Sequence, residues 1–247
     1  MRDAANSGES PGSGRRRFIR AATALTGLAI LPGSAGAAPE SPAPTGSLPT
    51  EVPPSIYLAL DPDEAAFVEQ LVEVMCPADD LTPGGVECGL ALFIDRQLAG
   101  PFGRGERLYQ QGPWRPGRRE DGYQLPLTPA QYFKLGLAAA GAACTKLHGR
   151  SFNSLAATDA DAFLQGLAAG KIGSPEVPLD VWFNEMVYPL FTQACFADPV
   201  YGGNRGKVFW KMIGYPGLPA VNGLNMIKYR GKPFPGGAAP LSMEDFS

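Results

Sequence analysis

Apolar residues fall into a helical rhythm soon after residue 60. In "LDPDEAAFVEQLVEVMCP", Phe67, Val68, Leu71, Val72 and Met75 recur at the spacing of one helix face. Asp61 suits the N-cap, Pro62 the first helical position and Glu64 the third, which closes a capping box; Pro77 stops the run. A second helix is predicted from Thr82-Pro83, with Val86, Leu90, Phe93, Ile94 and Leu98 on its buried face and a first turn weakened by Gly84 and Gly85. Thr128-Pro129-x-Gln131 repeats the cap pattern and opens a third helix to about Leu147, ended by Gly149. Thr158, with Asp161 at N3, opens a fourth that ends at Gly170. The fifth carries Trp182, Phe183, Met186, Val187, Leu190, Phe191, Ala194 and Cys195, a wide apolar stripe. Pro189 is expected to kink it, because the ring removes a donor and displaces a carbonyl. No alternating β-branched run exceeds a short strand, and no internal repeat is evident. Residues 55–247 are therefore predicted to be all-α, an irregular domain of about five to six helices with long Gly- and Pro-rich loops.

The segment before this domain has a different pattern. Arg15, Arg16 and Arg17 precede an apolar run from 21 to 31, and small residues follow, ending in Ala35-Gly36-Ala37. Basic, apolar, small is the order of an export signal, and the apolar run is too short to cross a bilayer. Arg15-Arg16-x-Phe18-Ile19-Arg20 resembles the twin-arginine signal, which carries folded proteins through the twin-arginine translocase to the periplasm. Such proteins hold a cofactor loaded in the cytoplasm or travel with a partner that does. Residues 1–37 read as this signal and the Pro-rich 38–54 as an extended linker.

Cleavage changes the charge balance. The mature chain keeps 16 Lys and Arg against 22 Asp and Glu, an acidic balance that argues against nucleic acid as a partner. Cys76, Cys88, Cys144 and Cys195 all remain. An even number in an exported chain predicts two disulfides, with three connectivities open. None has C-x-x-C spacing, which gives little support to zinc-ribbon, iron–sulfur or covalent haem sites.

Few groups suit catalysis. His148 stands alone near a helix C-terminus, where histidines usually serve the last carbonyls. "GGNRGK" lacks the first Gly and the final Ser or Thr of a phosphate loop. Asp79 and Asp80 form an acidic pair better suited to capping a turn than to acid–base work. No cofactor site is visible in the chain. The 100–127 stretch is long for a loop and carries Tyr109, Trp114 and Tyr123, which favour a binding segment.

Three stretches, "CPADDLTPGGVECGLALFIDRQL", "LYQQGPWRPG" through "GYQLPLTPAQYFKLGLAA", and "DPVYGGNRGKVFWKMIGYPG", carry a resemblance to the gluconate 2-dehydrogenase subunit 3 family. The resemblance implies a non-catalytic small subunit in the periplasm, held near the inner membrane through its complex. Its partner would be a large FAD-containing dehydrogenase of the glucose–methanol–choline type, with a multihaem cytochrome c, carrying haem c, as a possible third subunit. The small subunit would aid export and maturation of the flavoprotein. Tyr201, Trp210 and Tyr215 belong to types enriched in interfaces, and Arg205 can fork to a carboxylate. Gly202 and Gly203 permit a tight turn or close approach, and Asn204 tolerates unusual dihedrals. The same segment could instead turn Trp210 into the domain's own core. A general periplasmic adaptor or chaperone, or a stand-alone enzyme built on Asp79–Asp80 and the 100–127 loop, are the alternative functions.

Overall fold

The structure, a computed structural model, describes residues 57–115, 117–118 and 125–246. Arg15, Arg16, Phe18, Ala35 and Ala37 of the signal, the 38–54 linker and Tyr123 lie outside the described residues.

The described residues form seven α-helices and no strand. They are α1 (Pro62–Met75), α2 (Leu90–Ala99), α3 (Pro129–His148), α4 (Ala157–Ala168), α5, α6 (Val208–Ile213) and α7 (Pro219–Lys228). Helix α5 joins three segments, Leu179–Trp182, Phe183–Val187 and Tyr188–Phe196. Among the described residues, strand-like pairing is confined to a parallel bridge between Gly217 and Leu241.

Local chemistry explains the helix starts. Both capping boxes form. The Glu64 N–H donates to Asp61 Oδ1 at 2.9 Å, and the Asp61 N–H donates to Glu64 Oε2 at 3.0 Å. Thr128 and Gln131 make the same exchange at 3.2 and 2.8 Å. Helix α2 differs from its prediction: it begins at Leu90, not at Thr82-Pro83, and Val86 is exposed. Two glycines set that start. Gly89 has φ +76°, a left-handed conformation that stops the helix from extending backward. A Cβ on Gly85 would lie 2.2 Å from the Val72 carbonyl oxygen, so the 84–89 turn lies flat against α1. Helix α4 begins at Ala157 without a side-chain cap, so Thr158 falls inside it. Asp161 turns to Gln165 instead, accepting from its amide at 2.7 Å.

Pro189 leaves its mark upstream. Residues Phe183–Val187 adopt a π-helix, and the Tyr188 N–H donates to the Phe183 carbonyl five residues back. A π-turn is a common way to place an interior proline without leaving the helix.

Helix α1 packs on α2, α3 and α4, and α5 packs on the same three. Trp182, Phe133, Phe152, Phe163 and Phe183 are fully buried between them. Asp95 on α2 is also fully buried. It accepts from the backbone N–H groups of Leu58, Ala59 and Leu60 at 2.8, 2.8 and 3.0 Å. One carboxylate thus fixes the path by which the chain enters α1, through charge-assisted hydrogen bonds.

A candidate partner-binding face

The glycine-rich segment after α5 is held mainly by its own chain. Gly202 adopts φ +102° and Asn204 φ +49°. A Cβ on Gly203 would lie 2.4 Å from the Ala194 carbonyl oxygen, and one on Gly89 would lie 2.2 Å from the Gly202 carbonyl oxygen. The two glycines of "YGGN" therefore allow close approach to α5 and to the start of α2. Asn204 is fully buried. Its amide donates to the Ala197 carbonyl at 3.1 Å and accepts from the Phe209 N–H at 3.0 Å, which pins α6 to the end of α5. The Arg205 N–H donates to the Cys88 carbonyl at 3.1 Å.

Trp210 is buried, and its indole N–H donates to the Phe196 carbonyl at 2.8 Å. Tyr215 meets it edge-on with ring centroids 5.2 Å apart. Of the aromatics in this segment, Trp210 packs inward and Tyr201 faces solvent, half exposed.

Tyr201 borders an open, mostly apolar groove of about 400 Å³. Phe93 and Gln97 of α2, Gln193 and Phe196 at the end of α5, and Ala197 complete its lining. Phe196 is 43% exposed although it ends a helix whose neighbouring residues, Ala194 and Cys195, are buried. The sequence does not single out Phe93, Gln97 or Phe196. The available signal is the position of Phe196, one residue past the end of the buried stripe. Two arginines flank this region. The guanidinium of Arg96 lies beside Gly202, and that of Arg205 beside Gly89. Among the described residues neither guanidinium makes an ion pair.

The other candidates lie apart from this groove. Tyr109 is 81% exposed and Trp114 is 41% exposed, on the loop between α2 and α3. Among the described residues no hydrogen bond or ring contact joins either to the 198–217 segment. Asp79 caps a turn, accepting at one oxygen from the Leu81 and Thr82 N–H groups, each at 2.9 Å. His148 ends α3 and meets Phe163 edge-on. Burial pushes the Tyr132 hydroxyl up to about 12, with Glu185 and Asp180 adding repulsion.

The two expected disulfides are absent. All four cysteines are buried thiols. The Cys76 and Cys88 sulfurs both turn toward the Pro83 carbonyl, at 4.0 and 3.5 Å, and the Cys144 sulfur turns toward the Arg150 carbonyl at 3.6 Å. Burial raises the Cys144 thiol above its ordinary value, which makes it less reactive. Among the described residues no three His, Cys, Asp or Glu side chains converge as metal ligands.

These features define, among the described residues, an all-helical protein with an open apolar groove near Arg96 and Arg205. The sequence pattern of gluconate 2-dehydrogenase subunit 3 matches residues 62–217, and the chain belongs to that family, a subunit of a dehydrogenase complex. The match runs from the start of α1 to the Gly217 bridge. No curated protein and no solved structure matches the chain. No described helix is long and apolar enough to cross a membrane.

Proposed function

We propose that this chain is the non-catalytic small subunit of a periplasmic, FAD-dependent dehydrogenase of the glucose–methanol–choline type. It adheres to the flavoprotein, accompanies it through the twin-arginine translocase and stabilises it afterwards. The FAD resides in the large subunit, and a multihaem cytochrome c is a further member of the assembly. The observation that carries this reading is the groove at Tyr201 and Phe196, in a chain whose family belongs to a dehydrogenase complex. Exposed aromatics beside arginines combine the residue types most enriched in binding hot spots. Arg15 and Arg16 provide the export signal for the pair.

The test is to purify the C-terminally tagged chain from the periplasm of its native host. One stoichiometric flavoprotein is expected, with a flavin absorption band that leaves when that protein is removed. Arg15→Lys with Arg16→Lys is expected to retain both proteins in the cytoplasm, so periplasmic dehydrogenase activity falls to background in cell fractionation. Flavin that stays with the isolated chain, or normal export of the flavoprotein in the double variant, would overturn the reading.

A further inference from the structure

Helix α7 lies beyond the 62–217 family match, and among the described residues its apolar side chains stay exposed. Leu224, Met226 and Ile227 are 83, 75 and 76% exposed. Leu224 and Ile227 stand one turn apart and share a face. A ten-residue helix is marginal by itself in water, and α7 buries none of its described side chains against its own chain. The loop that carries it is nonetheless tied at its base. Just before it, the Leu218 N–H donates to the Leu241 carbonyl at 3.0 Å, and the Leu241 N–H donates to the Pro216 carbonyl at 3.1 Å. The 218–240 loop is thus closed at its base and presents α7 outward.

The charge of this region is segregated. Residues 199–243 contain six cations and no Asp or Glu, whereas residues 57–198 contain 10 Lys and Arg against 18 Asp and Glu. Asp245 pairs with Lys207, and among the described residues the other five cations of the segment make no ion pair. Lys228, Arg230 and Lys232 follow the apolar face of α7 directly, and all three are exposed.

We propose that α7 is a second element, in addition to the groove at Tyr201, that seats this chain on the dehydrogenase subunit, by inserting Leu224 and Ile227 into an apolar groove rimmed with carboxylates. The proposal rests on the partnership argued above. A helix laid in a groove buries its apolar face, and flanking charges fix its direction. A protein groove fits these observations better than an anionic bilayer. The apolar face is small, Leu224 and Ile227 on a ten-residue helix, which is little area for firm interfacial insertion but enough to anchor a helix in a groove. With a screening length of about 8 Å, local complementarity is felt while the distant excess of carboxylates is not.

The experiment uses the flavoprotein that co-purifies with the wild-type chain, titrated with the mature chain and its variants. Leu224→Asp with Ile227→Asp is expected to weaken binding about a hundredfold, since truncating or charging central anchors commonly costs that much. Leu147→Asp, the same change at an exposed position on α3, is expected to bind as wild type. Lys228→Glu with Arg230→Glu is expected to weaken binding and to flatten its salt dependence. Circular dichroism and melting checks that the variants fold; these side chains are exposed, so they should. Full affinity of the Leu224/Ile227 variant overturns the assignment of α7 while leaving the partnership intact. Failure of the wild-type chain to bind the flavoprotein overturns both. Sedimentation with phosphatidylglycerol-containing vesicles, lost in the Leu224/Ile227 variant while flavoprotein binding is unchanged, assigns α7 to lipid and also overturns the proposal.

Discussion

Asn204 does the work of a splice between two helices. It is fully buried at φ +49°, where most side chains pay for the conformation, and its amide satisfies one carbonyl and one N–H from different elements. Asn204→Ala leaves both of those groups without a partner. A buried unpaired polar group costs roughly 1–3 kcal/mol, so the variant is expected to lose about 3 kcal/mol. In a domain of this size that corresponds to a fall of about 10 °C in melting temperature. Asn204→Gly removes the same hydrogen bonds while relieving the backbone, and it is expected to lose slightly less. If both variants melt as wild type does, the amide bridge is not what joins α5 to α6. The same residue shows why the "YGGN" segment is hard to read. Glycines and an asparagine serve an internal splice or an external contact equally well, and only the position of Ala194 on the neighbouring helix and of Ala197 just past its end decides.

At the scale of elements, the join between α3 and α5 depends on a missing side chain. The Trp182 indole N–H donates to the Phe133 carbonyl at 3.1 Å, deep between the helices. A Cβ at Gly136 would stand 2.2 Å from the indole ring. Gly136→Ala should gain about 1 kcal/mol of helix propensity. The forced displacement of a packed ring costs more, about 1–3 kcal/mol and higher where the backbone cannot yield. The net expectation is destabilisation of about 1 kcal/mol, measured by denaturant unfolding. Combining Gly136→Ala with Trp182→Phe should cost less than the sum of the two single changes, because the smaller ring makes room. Strict additivity would show that the two positions do not touch. Much of this architecture was legible. The capping residues of α1 and α3 act within four residues of themselves, so Asp61 and Thr128 announce their helices. The start of α2 was not legible, because Gly85 lies flat against Val72, a contact that needs α1 in place. Thr158 misled because it resembles a cap, but the chain is still extended at Leu155 and Ala156, and Ala156 takes the N-cap place with no side chain to cap with. The groove at Phe196 needed both α2 and the end of α5, and no local pattern announces such a meeting.

Across the whole molecule, the last residues return to the site. The Met243 N–H donates to Asp198 at 2.9 Å, Lys207 Nζ donates to Asp245 at 2.7 Å, and the buried Ser242 donates its N–H to Asp245 at 2.6 Å. This strap closes the base of α7 and clasps the segment that carries Tyr201, so it links the groove to the proposed docking helix. Its charge chemistry makes it sensitive to acid. The hydrogen bond from Lys207, then that from the Ser242 backbone, holds the Asp245 carboxyl below its usual value. A depressed carboxyl contributes stability that is present above the ordinary carboxylate range, near pH 4, and is lost as pH falls through the lower folded value. The strap is therefore expected to hold at neutral pH and to loosen in acid. Asp161 on α4 acts in the opposite sense, because burial raises its carboxyl despite the hydrogen bond from Gln165. Global melting would mix the two effects, whereas hydrogen exchange at the Leu218 and Leu241 amides isolates the strap. Protection there should fall as acid protonates Asp245, after correction for intrinsic exchange. Asp245→Asn should lower the protection at neutral pH and remove its acid dependence. Equal protection in wild type at neutral and acidic pH would show that the backbone pairing of Gly217 and Leu241 holds the strap without the carboxylate.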